Sequence, residues 1–467
     1  MRYCLGLSSL ILAAAISCSS MWAQQAGGSA GASSPQSTSS ASETPSEAAT
    51  NAPVPDTRPL SGAEEITVGL RHSARNYVLP SLQVNVYGDS NQVSAAGGTR
   101  GVELTGSVTG RLALQHVTRK SQLTMDYMGG GLLYSRNSAF NSMIHEFGIT
   151  ESIKGRRWGL MLADRASFLP ESPFGFYGFG GGGIGQGTNL GILNPMFSTN
   201  ESIFSARGGR INNATVAELS YAASARSSFT MSASYGLLRF RESDGIDSDH
   251  RIYTAGYDHL ITRKDTIGIT YGFSQIRFRG VSFGIEDHFL QLSYGRKVTG
   301  RVAFEVAGGP MVDVFRSSTT SSDRRYSWSA HSSLRYRLPR ADLGFSYGHF
   351  TTNGSGVLFG AETDQFSGAL GVRLSRNWSG SIDPGYAHNA RLRQTTTGNG
   401  SVSFDSVYAG FSLRRSLGRF MDMSFRYSIQ DQRTSVSGTP GIGGGSTFVR
   451  HLFGFGFNWH RRPIEID

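Results

Sequence analysis

The chain has 467 residues, among them 60 Gly and two Cys, and carries 44 Lys and Arg against 34 Asp and Glu, a formal charge of +10. No internal apolar run approaches the roughly 20 residues of a membrane helix, a criterion that does not exclude membrane strands, which need only about 10 residues with half of them polar. The basic residues are scattered through turns and alternate strand positions, an arrangement that argues against nucleic acid as a partner.

The first 25 residues, MRYCLGLSSLILAAAISCSSMWAQQ, hold one Arg, an apolar stretch from Leu5 to Ile16 and then small residues. This is the pattern of an export signal, residues 1–23, with cleavage after Ala23. A rival reading is lipidation at Cys18, in Ala15-Ile16-Ser17-Cys18. The only cysteines are Cys4 and Cys18. Cleavage after Ala23 therefore removes both, and with them any disulfide or thiolate site. Residues 24–65 are rich in Ser, Ala, Gly, Pro and Thr, cannot bury a core, and are read as a disordered periplasmic leader. The stretch from Glu64 to Pro80 is transitional and could hold a short strand or helix at a barrel mouth.

From residue 66 onward the dominant signal is period-two alternation. Strands are predicted near 82–88, 101–116, 121–134, 143–154, 157–167, 213–225, 228–240, 250–261, 265–278, 285–296, 301–315, 325–337, 341–351, 364–376, 379–391, 402–414, 418–430 and 448–459. In 228–240, Phe229, Met231, Ala233, Tyr235 and Leu237 oppose Thr230, Ser232, Ser234 and Gly236. The last strand sets Val449, His451, Phe453, Phe455, Phe457 and Trp459 on one face. Such patterns indicate strands with one apolar side. The connections alternate between short ones, such as Thr118-Arg119-Lys120 and Thr262-Arg263-Lys264, and long ones, such as 168–212, 352–363 and 431–447. Tight turns on one side and larger loops on the other describe an up-and-down sheet crossing a membrane. An even count places both termini on the short-turn side, in the periplasm.

Sandwiches, propellers and β-helices also contain many strands. The predicted strands here run mostly to 11–15 residues against about 5–6 in soluble sheets, and no blade or coil repeat is visible. An open sheet this long would present hazardous edges, which closure removes. The expected fold is all-β: a transmembrane up-and-down antiparallel β-barrel over 66–467, of about 18 strands, with 16 the other even count the pattern allows. On its export signal, even strand parity, connection pattern and aromatic-rich final strand, the chain resembles a Gram-negative outer-membrane β-barrel, porin-like in its connections. Its Ser/Gly-rich leader and Gly-Gly loops also resemble uncharacterised acidobacterial-type barrels. The family typically ends on an aromatic residue read by the barrel-assembly machinery. Trp459 occupies that place, but HRRPIEID follows it.

The resemblance implies a channel in the cell outer membrane for passive or semi-selective diffusion of small hydrophilic solutes. Its partners would be outer-membrane lipid and lipopolysaccharide, the barrel-assembly machinery and the solutes themselves, with a homotrimer among the allowed assemblies and no cofactor. The alternatives are an outer pore or partner for exopolysaccharide secretion, and a closed structural or adhesion barrel. Strand parity assigns to the lumen Glu103, Arg111, Asp126, Glu146, Arg165, Glu218, Asp258, Glu305, His331, Arg335, Arg337, Arg373, Asp422 and Arg426. In an open pore such charges set selectivity, and in a filled one they pair and close the lumen. The 45-residue connection 168–212 is about three times the usual limit for a structureless loop, and it is the third outside loop. In porins that loop folds inward, a role the resemblance offers here to Phe174, Phe176, Tyr177, Phe179 and Phe197; the alternatives are a cap over the outside face, as a recognition surface, and a simple plug or packing filler. Trp158, Trp328, Trp378 and Trp459 read as interfacial anchors. Catalysis finds little support, and no enzyme is expected. The histidines lack metal-ligand spacing and no Gly-x-Ser-x-Gly elbow occurs. Asp249-His250 and Asp287-His288 are adjacent in strands and so point to opposite faces.

Overall fold

The structure is a computed structural model that describes residues 76–90, 102–136, 138, 141–170, 202–204, 209–241, 245–317, 323–392, 402–436 and 447–465. The signal, the leader and residues Phe174, Phe176, Tyr177, Phe179 and Phe197 lie outside them.

Eighteen long strands follow in chain order: β1 Tyr77–Asp89, β2 Glu103–Val117, β3 Ser121–Tyr134, β4 Ser142–Lys154, β5 Trp158–Leu169, β6 Arg210–Ala222, β7 Ser227–Phe240, β8 Ser248–Leu260, β9 Asp265–Phe278, β10 Phe283–Lys297, β11 Val302–Ser317, β12 Asp323–Arg337, β13 Ala341–Thr352, β14 Ala361–Arg373, β15 Trp378–Arg391, β16 Val402–Ser416, β17 Met421–Val436 and β18 Phe448–His460. Each pairs antiparallel with the next, and β1 pairs with β18 from Ser81 opposite His460 to Asp89 opposite Leu452, so the sheet closes. Closure satisfies backbone donors and acceptors that no water would reach inside a bilayer.

The expected count of eighteen holds, and most boundaries fall within three residues. The largest departures are the end of β17, which runs six residues past its expected bound to Val436, and the start of β1. β1 begins at Tyr77, five residues before the expected start, and runs through Pro80. The HRRPIEID tail is not simply a free extension: Ile464 and Glu465 form a short strand, β19, opposite Val78 and Tyr77. Between the two pairings the Arg461 amide donates to the Pro80 carbonyl at 3.2 Å. The tail thus covers the part of β1 that β18 does not reach.

Alternation sorts the side chains. On β1 and β2, Leu82, Val84, Val86, Leu104, Val108 and Leu112 face outward and are exposed, while Asn85, Glu103, Thr105, Ser107 and Thr109 are buried on the other face. The same division runs through Met231 and Ser232, Ile269 and Thr270, and Phe453 and Leu452. An apolar outer surface and a polar interior invert the arrangement of a water-soluble sheet, and they fit a wall solvated by lipid. Trp158, Trp378 and Trp459 stand at the short-turn ends, where Arg415 lies over the Trp378 ring at 5.2 Å. Towards the opposite rim, outward tyrosines meet histidines: Tyr127 with His145 at 3.0 Å, Tyr271 with His288 at 2.8 Å and Tyr427 with His451 at 2.9 Å. Amphipathic rings at both ends of the apolar band are what the lipid interface selects. This is an outer-membrane β-barrel.

One junction is incomplete. β12 and β13 pair only from Ala330 opposite His349 down to Arg337 opposite Asp342. Above that point β12 still pairs with β11 up to Asp323, and β13 still pairs with β14 up to Thr352.

Candidate functional site

The sequence-assigned lumen residues occupy the face opposite the exposed apolar positions, and they differ in environment. Glu103 is buried near the long-loop end of β2, accepting from the Arg136 amide at 2.9 Å. Arg111 and Asp126 approach to 3.7 Å across β2 and β3. Glu305 and His331 lie 3.5 Å apart across β11 and β12. Glu218 and Asp258 are buried. Arg335 lies opposite Ala303 on the inward side, and Arg426 lies opposite Ser412. Arg337 pairs with Asp342 at 3.5 Å near the short-turn rim, and Arg373 is exposed at the same rim. The lower interior is therefore lined by both signs, partly paired. Such an arrangement lowers the field along the axis relative to a single-sign ring.

Arg165 and Glu146, also on the parity-assigned face, meet at 3.3 Å. Sequence reasoning missed other interior groups. Asp89 receives two bonds from Arg450, from Nε at 3.0 Å and from Nη2 at 2.7 Å. Asp287 and Asp313 face each other across β10 and β11, holding Ser274 at 3.0 Å and Thr351 at 3.2 Å respectively. The pairs Asp249-His250 and Asp287-His288 split as strand geometry requires. His250 turns inward to Ser274, whereas Asp249 meets Tyr235 and Arg239; Asp287 turns inward, whereas His288 meets Tyr271. Among the described residues, no group of three or more His, Cys, Asp and Glu is placed to hold a metal ion.

Near the long-loop end the interior changes from polar to apolar. Ile276, Phe278, Ile285 and Phe315 form a buried cluster with Phe283 and Phe359, and Ile252, Phe289, Met311 and Phe350 form another below it. Two chain segments pack into this region. The first is Asn353–Gly360, the β13–β14 connection, whose turn of 3-10 helix spans Gly354–Gly356. Ser355 takes φ 57°, and Gly354, Gly356 and Gly360 take φ 74°, 74° and 86°. Three of these four positions are glycine because the left-handed region costs other residues roughly 1–2 kcal/mol. At Gly356 space also forbids a side chain, since a Cβ would stand 2.2 Å from the Phe240 ring. On one side Asn353 Nδ2 donates to Ser248 Oγ at 2.9 Å, and the Ile246 amide donates to the Gly356 carbonyl at 2.8 Å. On the other side Val357 and Leu358 pack with Ala361 and Phe404. The connection thus reaches from β8 to β16.

The second segment is Ser202–Phe204, from the long connection between β5 and β6. Its Ser202 and Ile203 amides donate to Ser355 Oγ at 2.8 and 3.2 Å, and Ser202 Oγ donates to Asn389 Oδ1 at 2.6 Å. Gln432 takes the Phe204 amide at 2.7 Å and returns a bond to its carbonyl at 2.9 Å. Ile203 packs with Val357, Leu358 and Phe404, and Phe204 packs with Ala387, Tyr408 and Phe448. Residues that enter the chain between β5 and β6 are seated against β15–β18, across the interior. The signal for the β13–β14 segment was available in the sequence: Asn353-Gly354-Ser355-Gly356 followed by Val357-Leu358-Phe359 is too apolar for a loop in water. Ser355 of the first segment accepts from two amides of the second, so Ser355→Ala should leave both buried amides unsatisfied at about 1–3 kcal/mol each. The expected result is faster open–closed flicker in single-channel records with little change in the thermal stability of the barrel.

No protein-family model matches the chain, and no curated protein matches it by sequence. Among solved structures it is similar to OccK2 (OpdF) of Pseudomonas aeruginosa, at 11% identity and TM-score 0.40 over 82% of this chain and 98% of that one. It is similar also to OccAB3 of Acinetobacter baumannii, at 9% identity and TM-score 0.41 over 83% and 100%. OpdK of P. aeruginosa, solved with vanillate, matches at 8% identity and TM-score 0.40 over 82% and 98%. At this level of similarity the assignment of the barrel rests on its own strand ladder.

Proposed function

We propose that the chain is a semi-selective outer-membrane channel for small hydrophilic solutes, narrowed towards its outer mouth by two inward-folded segments. The observation that carries this reading is the seating of Ser202–Phe204 on Ser355, Asn389 and Gln432, on the far side of the interior from the strands that deliver it. An ordered segment inside a polar-lined barrel is the arrangement by which a wide barrel becomes selective. Below it, Arg111, Asp126, Glu305, His331, Arg335 and Arg426 would line the path of the solute. Phe174, Phe176, Tyr177, Phe179 and Phe197 are proposed to contribute to the same constriction. The finer likeness to acidobacterial-type barrels, the homotrimer and the engagement of the barrel-assembly machinery through Trp459 belong to the same proposal.

Reconstitution into a planar bilayer tests it. Stable ion-conducting steps are expected. A correctly folded barrel silent at every voltage would overturn the channel reading in favour of the closed structural barrel, which the two crossing segments and their apolar seat favour as the second reading.

A further inference from the structure

The wall between β12 and β13 is held shut near the outer rim by side chains in place of a backbone ladder. The last backbone pair is Ala330 with His349, and Asp323–Ser329 of β12 have no partner on β13. Three contacts show what the upper β13–β14 hairpin does instead. Ser327 Oγ of β12 donates to Glu362 Oε1 of β14 at 2.7 Å, so at this height β13 does not separate the two strands. Thr351 of β13 reaches past β12 to Asp313 of β11 at 3.2 Å, and to the Met311 sulfur at 4.0 Å. Phe350 lies among Ile252, Phe289 and Met311. The top of the hairpin has left the wall and lies behind β12, on the inner surface of β11.

The slot so formed is filled by a chain of polar groups. Arg325 is paired with Glu362, Glu362 lies 3.2 Å from His349 Nε2, and His349 Nδ1 lies 2.8 Å from Asp364. Tyr347 donates to the same Asp364 at 2.7 Å. Outside, Trp328 covers His349 ring on ring, 4.0 Å between centroids and 6° from parallel. His349 is 5% exposed, whereas Trp328 is 50% and its neighbour Tyr326 77% exposed. Unlike a ladder of backbone bonds, this closure can open by rotation of a few side chains, and a ring at the rim of the apolar band moves without breaking the sheet.

We propose that the β12–β13 slot is a lateral port between the barrel interior and the outer leaflet, for a single-chain amphiphile with an ammonium-bearing head. The chain is specified by what lies on either side: lipid outside, and the Ile252–Phe289–Met311–Phe350 cluster inside. The head is specified by the latch, where Glu362 and Asp364 outnumber Arg325. A cation can replace Arg325 or His349 as their partner, whereas an anionic head would add unpaired charge to a half-buried site. The port does not depend on axial conduction.

The test uses the full-length protein in proteoliposomes, with p-benzoylphenylalanine replacing Phe350 and an alkyne-tagged long-chain primary alkylamine as the probe. Irradiation should give an adduct at position 350 beside the adduct given by the same photoreactive residue at outward Leu334. Arg325→Ala frees Glu362 from its cationic partner and should increase the adduct at 350, and Ser327→Cys with Glu362→Cys places two thiols across the slot. Bridging the two thiols with a short bifunctional reagent should then abolish the adduct at 350 while leaving that at 334 intact. No adduct at 350 with normal labelling at 334 would overturn the port, as would labelling at 350 indifferent to the bridge, which indicates entry along the axis. Heat-modifiable migration verifies folding of each variant. Ion conductance recorded on the same bridged protein separates this outcome from the channel reading, because bridging closes the wall and not the axis.

Discussion

Replacing residues 171–208 with a short Gly/Ser turn is expected to raise single-channel conductance, on the order of two-fold or more, as the water-filled cross-section widens. The wall should survive the deletion, because β5 and β6 pair with each other along their whole length from Trp158 opposite Tyr221 to Leu169 opposite Arg210. What is lost is the seat of Ser202–Phe204 on the far wall. Ile203 and Phe204 each contribute about 1.5–3 kcal/mol by burial, enough to keep the segment in place for nearly all of the time. Ile203→Ala with Phe204→Ala should therefore give a milder phenotype: the original conductance interrupted by brief larger openings. The measurement is the amplitude histogram in a planar bilayer. A deletion variant with unchanged amplitude would mean that this segment does not limit the path.

The ladder was legible because a membrane barrel writes its geometry into every second residue. Lipid demands an apolar side chain outward at Leu82, Val84 and Val86, while the interior tolerates Gln83 and Asn85 between them. Short turns such as Thr118-Arg119-Lys120 fix where strands end, which is why β3 and β9 fall on their expected bounds. Prolines are less transparent. β1 is expected from residue 82, yet it runs through Pro80, because a proline costs a strand only one donor, and here the carbonyl side is the one that binds the tail.

Parity fails where a strand leaves the wall, and so part of the interior was not legible. His349, Thr351 and Glu362 fall on the lipid-facing side by counting, a poor place for a histidine beside a carboxylate. His349 and Thr351 are buried and Glu362 half-buried because the top of β13–β14 folds behind β12 and turns its outer face to the inner surface of β11 and β12. No local pattern announces that departure, since both strands keep their mutual pairing through Thr352 opposite Ala361. The contradiction itself was the available signal: charges at lipid-facing positions beside an apolar, glycine-rich connection. The cross-interior contacts of Ser202 with Asn389 and of Phe204 with Gln432 join residues 187 and 228 positions apart, beyond the reach of any periodicity.

Arg450→Ala should be the most destabilising single substitution at the closing junction. Arg450 is 8% and Asp89 2% exposed, and two charge-assisted bonds join them across β1 and β18. Removing the guanidinium leaves the Asp89 carboxylate buried without that partner, a loss of about 3–5 kcal/mol for such pairs. Removing both charges is different. Arg450→Met with Asp89→Asn eliminates the desolvation cost together with the attraction, so the double variant should lie well above Arg450→Ala in stability, close to the parent. The site is also where the loss matters most for assembly, because the β1–β18 pairing joins the first and last long strands across a far greater sequence separation than any pairing of successive strands. The midpoint of the folded-to-unfolded band shift on a temperature series, measured for the parent, Arg450→Met, Asp89→Asn and the double variant beside Arg450→Ala, gives the coupling directly. Equal destabilisation by the single and double variants would show that the pair does not act as a unit, and that closure rests on the ladder from Ser81 to Asp89 alone.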